Sequence, residues 1–196
     1  MNQGAAILPP DLLKSATTLR LPHRATLFAQ GDRPKAMYCV LSGEVRLVRT
    51  AITGAEIVLQ RANGGFVAEA SLDQSAYHCD AIVTKAATLL SIPKGRFQRA
   101  LSQSRFRDAW IGYVSAQLRH SRLQCERLLL HTARERISHF IMTEGRDRIF
   151  KLAGTKKAWA AELGLTHEAL YRTLRAMLES GELMERPAGS FRIKGV

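Results

Sequence analysis

Glu168, Tyr171, Arg172 and Arg175 lie three or four residues apart, a spacing that sets them on one face of a helix. Carboxylate, phenol and guanidinium groups on one helix face are suited to hydrogen bonding with base edges in a DNA major groove. The surrounding segment, TKKAWAAELGLTHEALYRTLRAML from Thr155 to Leu178, is spaced to hold them there. Thr155 caps a first helix predicted from about Lys156 to Leu163, with Trp159, Ala160 and Leu163 inward. Gly164 supplies a tight turn, and Leu165 plugs the corner between two helices. Thr166 caps a second helix that starts at His167 and stops at Gly181, burying Leu170, Leu174 and Met177 or Leu178. For the helices alone, the competing reading is a plain helical hairpin with a solvated charged face. The sequence that follows argues against it: Leu183–Arg186 and Ser190–Ile193 flank Pro187-Ala188-Gly189 and read as a hairpin. Helix-turn-helix followed by a hairpin is a winged helix, whose second helix fits the major groove.

No other set of residues points to chemistry of its own. The six histidines, at positions 23, 78, 120, 131, 139 and 167, have no spaced Ser, Cys or carboxylate partner that suggests a triad. Cys39, Cys79 and Cys125 are far apart, form no metal-ligand pair, and are odd in number, which argues against a disulfide framework. No metal or cofactor is expected, and no enzyme. The formal charge of +12 favours a polyanionic partner. It is spread along the chain, net +5 over residues 1–104 and +7 over 105–196. A cationic membrane-surface protein would concentrate it on one amphipathic helix. The N-terminus has no signal-like run and no segment reaches bilayer-spanning length, so the expected location is the cytoplasm, with no membrane partner.

The chain that positions the winged helix changes texture twice. Residues 11–20 are expected to form a short helix ending before Pro22. From Ala25 to Leu90 come short apolar runs punctuated by glycine: Thr26–Phe28, Met37–Leu41, Val45–Val48, Ile57–Leu59, His78–Val83 and Thr88–Ile92. That pattern predicts an antiparallel sandwich or barrel, with one or two helical turns at Phe66–Leu72. After Pro93 the period becomes helical. Ile111, Val114, Leu118, Ser121, Cys125, Leu128 and Thr132 are separated alternately by three and four residues, as in a coiled-coil seam. Arg119, His120, Arg122, Glu126 and Arg127 lie off that seam, and Leu123, Leu129 and Leu130 are expected to touch the chain's own domains. Self-association as a two-fold dimer is the expected outcome. A break at His131–Arg134 precedes a helix over Arg136–Met142 with Ile137, Phe140 and Ile141 inward, and Ile149–Leu152 reads as a strand.

Taken in order, these parts resemble the CRP/FNR family of bacterial transcription regulators. The resemblance covers nearly the whole chain and rests on Gly31-Asp32, the segment Leu41-Ser42-Gly43-Glu44-Val45, the segment Gly65–Leu72, and Thr155–Leu178. It implies an α+β chain: an antiparallel, jelly-roll-like sensor β-roll over residues 1–104, a dimerisation helix over 105–131, and a winged helix-turn-helix over 132–196. It implies a homodimer on two-fold symmetric double-stranded DNA, with RNA polymerase as a further partner. The seam residues Ile111, Val114, Leu118, Ser121, Cys125 and Leu128 would form the dimer interface.

The family's recognition pattern, Arg-Glu-x-x-x-Arg, meets His167, Glu168 and Arg172 here, so its first arginine is replaced. Glu168 would accept from a cytosine amino group and Arg172 would bond both guanine acceptors. His167 and Tyr171 would shift preference at flanking pairs, Arg175 shares their face, and Lys156, Lys157 and Thr166 stand for phosphates. In cyclic-AMP-binding members a glutamate holds the ribose, and an arginine-serine pair about ten residues later holds the phosphate. Glu69 matches that glutamate, but Cys79 and Asp80 take the other two places, and the glycine before the glutamate is Ala68. Glu69, Ala70, Ser71, His78 and Cys79 are therefore the candidate effector pocket, for an unidentified small molecule and without control by cyclic AMP. The alternative is a ligand- or haem-sensing signalling module, with His78 or Cys79 as axial ligand and a winged helix that contacts proteins.

Overall fold

In the computed structural model, which describes residues 3–52, 54, 56–152 and 154–194, the chain divides into two compact units, Met1–Val114 and Ser115–Val196. In the first unit, α1 (Gln3–Ala6) and α2 (Pro10–Ser15) precede β1 (Thr17–Leu21), β2 (Thr26–Phe28), β3 (Ala36–Thr50), β4 (Glu56–Ala62), β5 (Gly65–Val67), β6 (Asp80–Pro93) and α3 (Lys94–Ala100). One antiparallel sheet runs in the order β1-β6-β3-β4, with β2 paired to β6 and β5 to β3.

Two long strands form its spine where the sequence suggested four short ones. Met37–Leu41 and Val45–Val48 are both parts of β3, and β6 takes in Thr88–Ile92. Gly43, which reads as a turn, lies within β3 at φ +86 where the register against β6 shifts. A Cβ there would collide with the Ala86 carbonyl oxygen and with Ala87, so glycine permits a bulge rather than a reversal. The expected helix over 11–20 stops at Ser15, because Thr17–Leu21 is drawn into the sheet opposite Ala87–Ser91. Phe66–Leu72 is not helical throughout: it completes β5, turns at Ala68, and makes one short 3-10 turn over Glu69–Ser71.

Apolar side chains alternate along these strands and fill the roll with Phe28, Val40, Val45, Leu47, Val67, Val83 and Leu89. A second cluster, with Phe66, Phe97, Phe106 and Trp110 in edge-to-face contact, packs the helices against the other side.

Helix α4 (Ser104–Leu129) begins in the first unit and ends in the second. It stops three residues before Thr132, which leaves the seam and instead caps α5 (Ala133–Glu144). Thr132 accepts from the Glu135 N–H, and Glu135 reaches back to the Thr132 N–H, a capping box. The second unit continues with β7 (Ile149–Lys151), α6 (Lys156–Glu162), α7 (His167–Glu179), β8 (Leu183–Arg186) and β9 (Ser190–Ile193), the strands forming a sheet β7-β9-β8. Its core joins Ile137, Phe140, Ile141, Trp159, Leu163, Leu170, Leu174, Met177, Leu183 and Phe191. Among the described residues no helix is long and apolar enough to cross a membrane.

Candidate nucleic-acid interface and effector pocket

The pair α6–α7 is built from its caps and its corner. Thr155 accepts from the Ala158 N–H at 3.2 Å and Thr166 from the Ala169 N–H at 3.1 Å. These bonds fix both helix starts. Between them Gly164 takes φ +64, and the Leu165 N–H donates to the Ala160 carbonyl at 2.9 Å. Leu170, Leu174 and Met177 are buried, and their burial turns Glu168, Tyr171, Arg172 and Arg175 outward together.

The outward residues are not equally free. Arg175 is bonded to Glu179 at 2.8 Å, which raises its pKa. Lys156 lies 3.8 Å from Glu185 and over the Tyr171 ring. His167 packs on the same ring, with centroids 4.4 Å apart. Lys157, Glu168 and Arg172 are exposed with no ion pair among the described residues. The hydroxyl of Thr166 has a second duty as the cap of α7.

Two arginines that carried no role in the sequence reading tie the end of α4 to its neighbours, and one of them also holds the α6–α7 corner. Arg136 donates to the carbonyls of Leu128 at 3.3 Å and Leu130 at 3.0 Å, and to those of Leu163 at 3.3 Å and Gly164 at 3.1 Å. One planar fork thereby satisfies orphan carbonyls at the ends of both α4 and α6. Arg127, which lies off the seam, is buried, stacked 4.5 Å from the Phe140 ring and bonded to Glu144 at 3.1 Å. No local signal marked it: Glu144 and Phe140 lie on the next helix, and only the fold brings them close.

Along α4, Ile111, Leu118, Leu128 and Leu129 are each more than half exposed, and Val114, Ser121 and Cys125 are exposed as well. Leu129, expected to touch the chain's own domains, is 78% exposed and continues the uncovered face, while Leu123 and Leu130 are half-buried.

In the first unit, Glu69, Ala70, Ser71, His78 and Cys79 do come together, lining one cavity of about 100 Å³ with Phe28, Leu47, Leu59, Gln60 and Ala68. Ala68 turns the chain into the cavity at φ +78, a left-handed conformation that costs a non-glycine residue about 1–2 kcal/mol. Burial raises the pKa of Glu69, its own N–H pulling the other way, and Oε2 is buried without a partner. Ser71 Oγ and His78 Nδ1 lie 3.2 Å apart. His78 and Cys79 sit in the irregular segment before β6 rather than in a strand. Burial raises the pKa of the Cys79 thiol, Asp80 and Glu69 adding to it against Arg49. Asp80 does not point inward as a repulsive charge: it accepts from the Gln30 N–H at 2.7 Å and does not line the cavity. Neither Lys nor Arg lines it. Among the described residues no cluster of His, Cys, Asp and Glu could hold a metal.

Residues 18–104 match the cyclic nucleotide-binding domain. The whole chain is 27% identical over 185 residues to the cyclic AMP receptor protein of Thermus thermophilus, covering 91% of this chain and 85% of that one. Its fold matches the catabolite activator protein of Thermus thermophilus at a TM-score of 0.52 and 25% identity, covering 95% and 91% of the two chains. By these likenesses the chain is similar to regulators of the CRP/FNR family. These relatives support a transcription regulator of the same type rather than an enzyme. Within the same α+β fold, the chain also superimposes on a mutant form of CooA from Carboxydothermus hydrogenoformans, with a TM-score of 0.69 at 17% identity, over 100% and 92% of the chains.

Proposed function

We propose that this protein is a CRP/FNR-type cytoplasmic homodimer that binds a two-fold symmetric DNA site without control by cyclic AMP. The observation that carries the reading is the division of α7: Leu170, Leu174 and Met177 are buried on one side, and Glu168 and Arg172 are exposed and unpaired on the other. Arg172 would take guanine O6 and N7, Glu168 a cytosine amino group, and Lys157 and the α6 start the phosphates. The uncovered face of α4, from Ile111 to Leu128, would bury against its symmetry mate and set two α7 helices about one helical turn apart. RNA polymerase would be the downstream partner.

The Thermus relative is named for cyclic AMP, but the cavity here contains no cation for a phosphate and has about 100 Å³, below the roughly 300–1,000 Å³ usual for ligand sites. The unpartnered Glu69 Oε2 supports a smaller effector that donates hydrogen bonds. The competing reading, a signalling module whose winged helix contacts proteins, rests on that same carboxyl. A salt titration separates the two. Affinity for sites selected from genomic fragments should fall steeply with salt, with a slope of about −0.9 per phosphate contact. A flat salt response, or no selected sequence, would overturn the DNA reading.

A further inference from the structure

Helix α5 folds back along α4, and side chains that can carry opposite charge meet across the pair. His120 Nδ1 on α4 lies 3.6 Å from Glu144 Oε1 on α5, and Glu126 Oε2 on α4 lies 3.3 Å from His139 Nε2 on α5. Arg127 of α4 takes the same Glu144 oxygen at 3.1 Å. Glu162 of α6 faces this group as well: partial burial raises its pKa, the charges of His120 and Arg127 lower it, and Glu144 raises it further. All of these residues belong to the second unit.

The charges of this group do not balance while His120 is neutral. Glu144 and Glu162 are two carboxylates, and Arg127, buried and stacked on Phe140, is one fixed cation. His120 is placed to supply the second. Gln124 Nε2 lies 3.1 Å from His120 Nε2 and only donates, so a neutral ring accepts there and carries its proton on Nδ1, toward Glu144. A second proton goes to Nε2, where Gln124 accepts it by turning its amide. The ring is 41% exposed, so solvent delivers that proton freely. His139 is a poorer sensor: its Nδ1 is buried without a partner, and a proton there would have no acceptor.

We propose that His120 is a proton sensor: its charged form ties α4 to α5 and α6, and DNA binding tightens as pH falls from about 8 to about 6. The proposal rests on the readings of α4 as the dimer helix and α7 as the DNA reader. An imidazole ordinarily changes charge across this range. In the tied arrangement a charged His120 has Glu144 beside it, and in a loosened one it does not, so falling pH favours the tied form. Fixing α5 and α6 on α4 sets the spacing of two α7 helices before DNA arrives, and less freedom is then lost on binding.

The test is the affinity for the selected duplex at about pH 6 and about pH 8, at one ionic strength. Wild type should bind about two- to five-fold more tightly at the lower pH, the range expected of a partly exposed ion pair. His120→Gln should bind at both values as wild type does at the higher pH. His120→Lys, charged throughout, should bind at both as wild type does at the lower. Glu162→Gln removes the surplus carboxylate, so affinity at the higher pH should rise and the gain on acidification should shrink. A residue that merely packs would not produce that rise. If His120→Gln keeps the wild-type gain, or wild type shows none, this inference falls and the reading of α7 stands. Should His120→Gln fail to fold, the other two variants decide: no rise at the higher pH in either overturns the sensor. Wild type binding the duplex at neither pH would overturn both.

Discussion

Arg127 holds its Nη2 3.1 Å from Oε1 of Glu144 while its side chain is 1% exposed. His120 Nδ1 lies 3.6 Å from the same oxygen. Nε and Nη1 of Arg127 have no hydrogen-bond partner, so Glu144 is its main compensation inside the second unit. Losing one partner of a buried pair leaves the other charge uncompensated, at a cost of about 3–5 kcal/mol. Glu144→Ala should lower stability in urea by about that amount, and Arg127→Met/Glu144→Leu should recover much of it. A loss below about 1 kcal/mol in Glu144→Ala would show that the guanidinium finds water instead.

Glu69 gives a pH dependence of definite sign. Its carboxyl is buried in the roll, which raises its pKa above the unfolded value. The protonated form is therefore the one the fold accommodates. The stability it confers is complete below the ordinary carboxylate pKa of about 4.3 and is lost as pH rises through the raised value. Glu69→Gln, neutral at every pH, should raise the urea midpoint near pH 7.5, and the gain should close toward about pH 4. An equal shift at both pH values would mean that packing, not ionisation, sets the difference.

How much of this was legible beforehand follows from how local each feature is. Thr155, Trp159, Gly164, Thr166 and Leu170 were readable in place because caps, turn and buried stripe recur within one or two helical turns. The continuity of β3 was not, since the positive φ of Gly43 marks a turn and a bulge equally well; its distant neighbours Ala86 and Ala87 decide between them. Arg127 is buried by Phe140 and Glu144 on another helix, which no periodicity on α4 announces. Thr132 was readable: Thr-x-x-Glu is a capping signal, and it outweighs the heptad spacing that placed this residue in the seam. Glu69, Ala70, Ser71, His78 and Cys79 line one cavity, and the outward turn of Asp80 depends on Gln30, fifty residues away.

The exposed, unpaired Arg172 and Lys157 should fail in different ways. Arg172→Ala should cost about 1–3 kcal/mol on the selected site and relax preference at one G·C pair. Lys157→Ala should weaken all sequences about equally. Repeating the selection with each variant distinguishes them, and unchanged base preference in a folded Arg172→Ala protein would remove α7 as the reader.

Leu118 is 51% exposed in the protomer, midway along the uncovered face of α4. If that face buries against a second copy, Leu118→Glu sets two like charges into an apolar seam. Sedimentation should then show a monomer, with tight binding to two-fold sites lost and the thermal melt of the protomer little changed. An intact dimer would place the interface elsewhere.

The cavity under Glu69 leads to the expectation that neither cyclic AMP nor cyclic GMP binds with useful affinity. Cys79 stands where the family's nucleotide-binding members carry arginine, and it is nearly inaccessible, with a neutral thiol favoured by burial. A phosphate in this space would lose two charge-assisted hydrogen bonds, each about 1.5–3 kcal/mol, enough to move a micromolar site to the millimolar range or weaker. Asp80 is not part of that loss, because its carboxylate is held by Gln30. The volume, about 100 Å³, acts in the same direction. Calorimetry should therefore show no saturable heat with either nucleotide, and neither should raise affinity for the selected DNA. A micromolar isotherm would mean that the β4 and Glu69–Ser71 walls part to admit a nucleotide, and would return this protein to cyclic-nucleotide control.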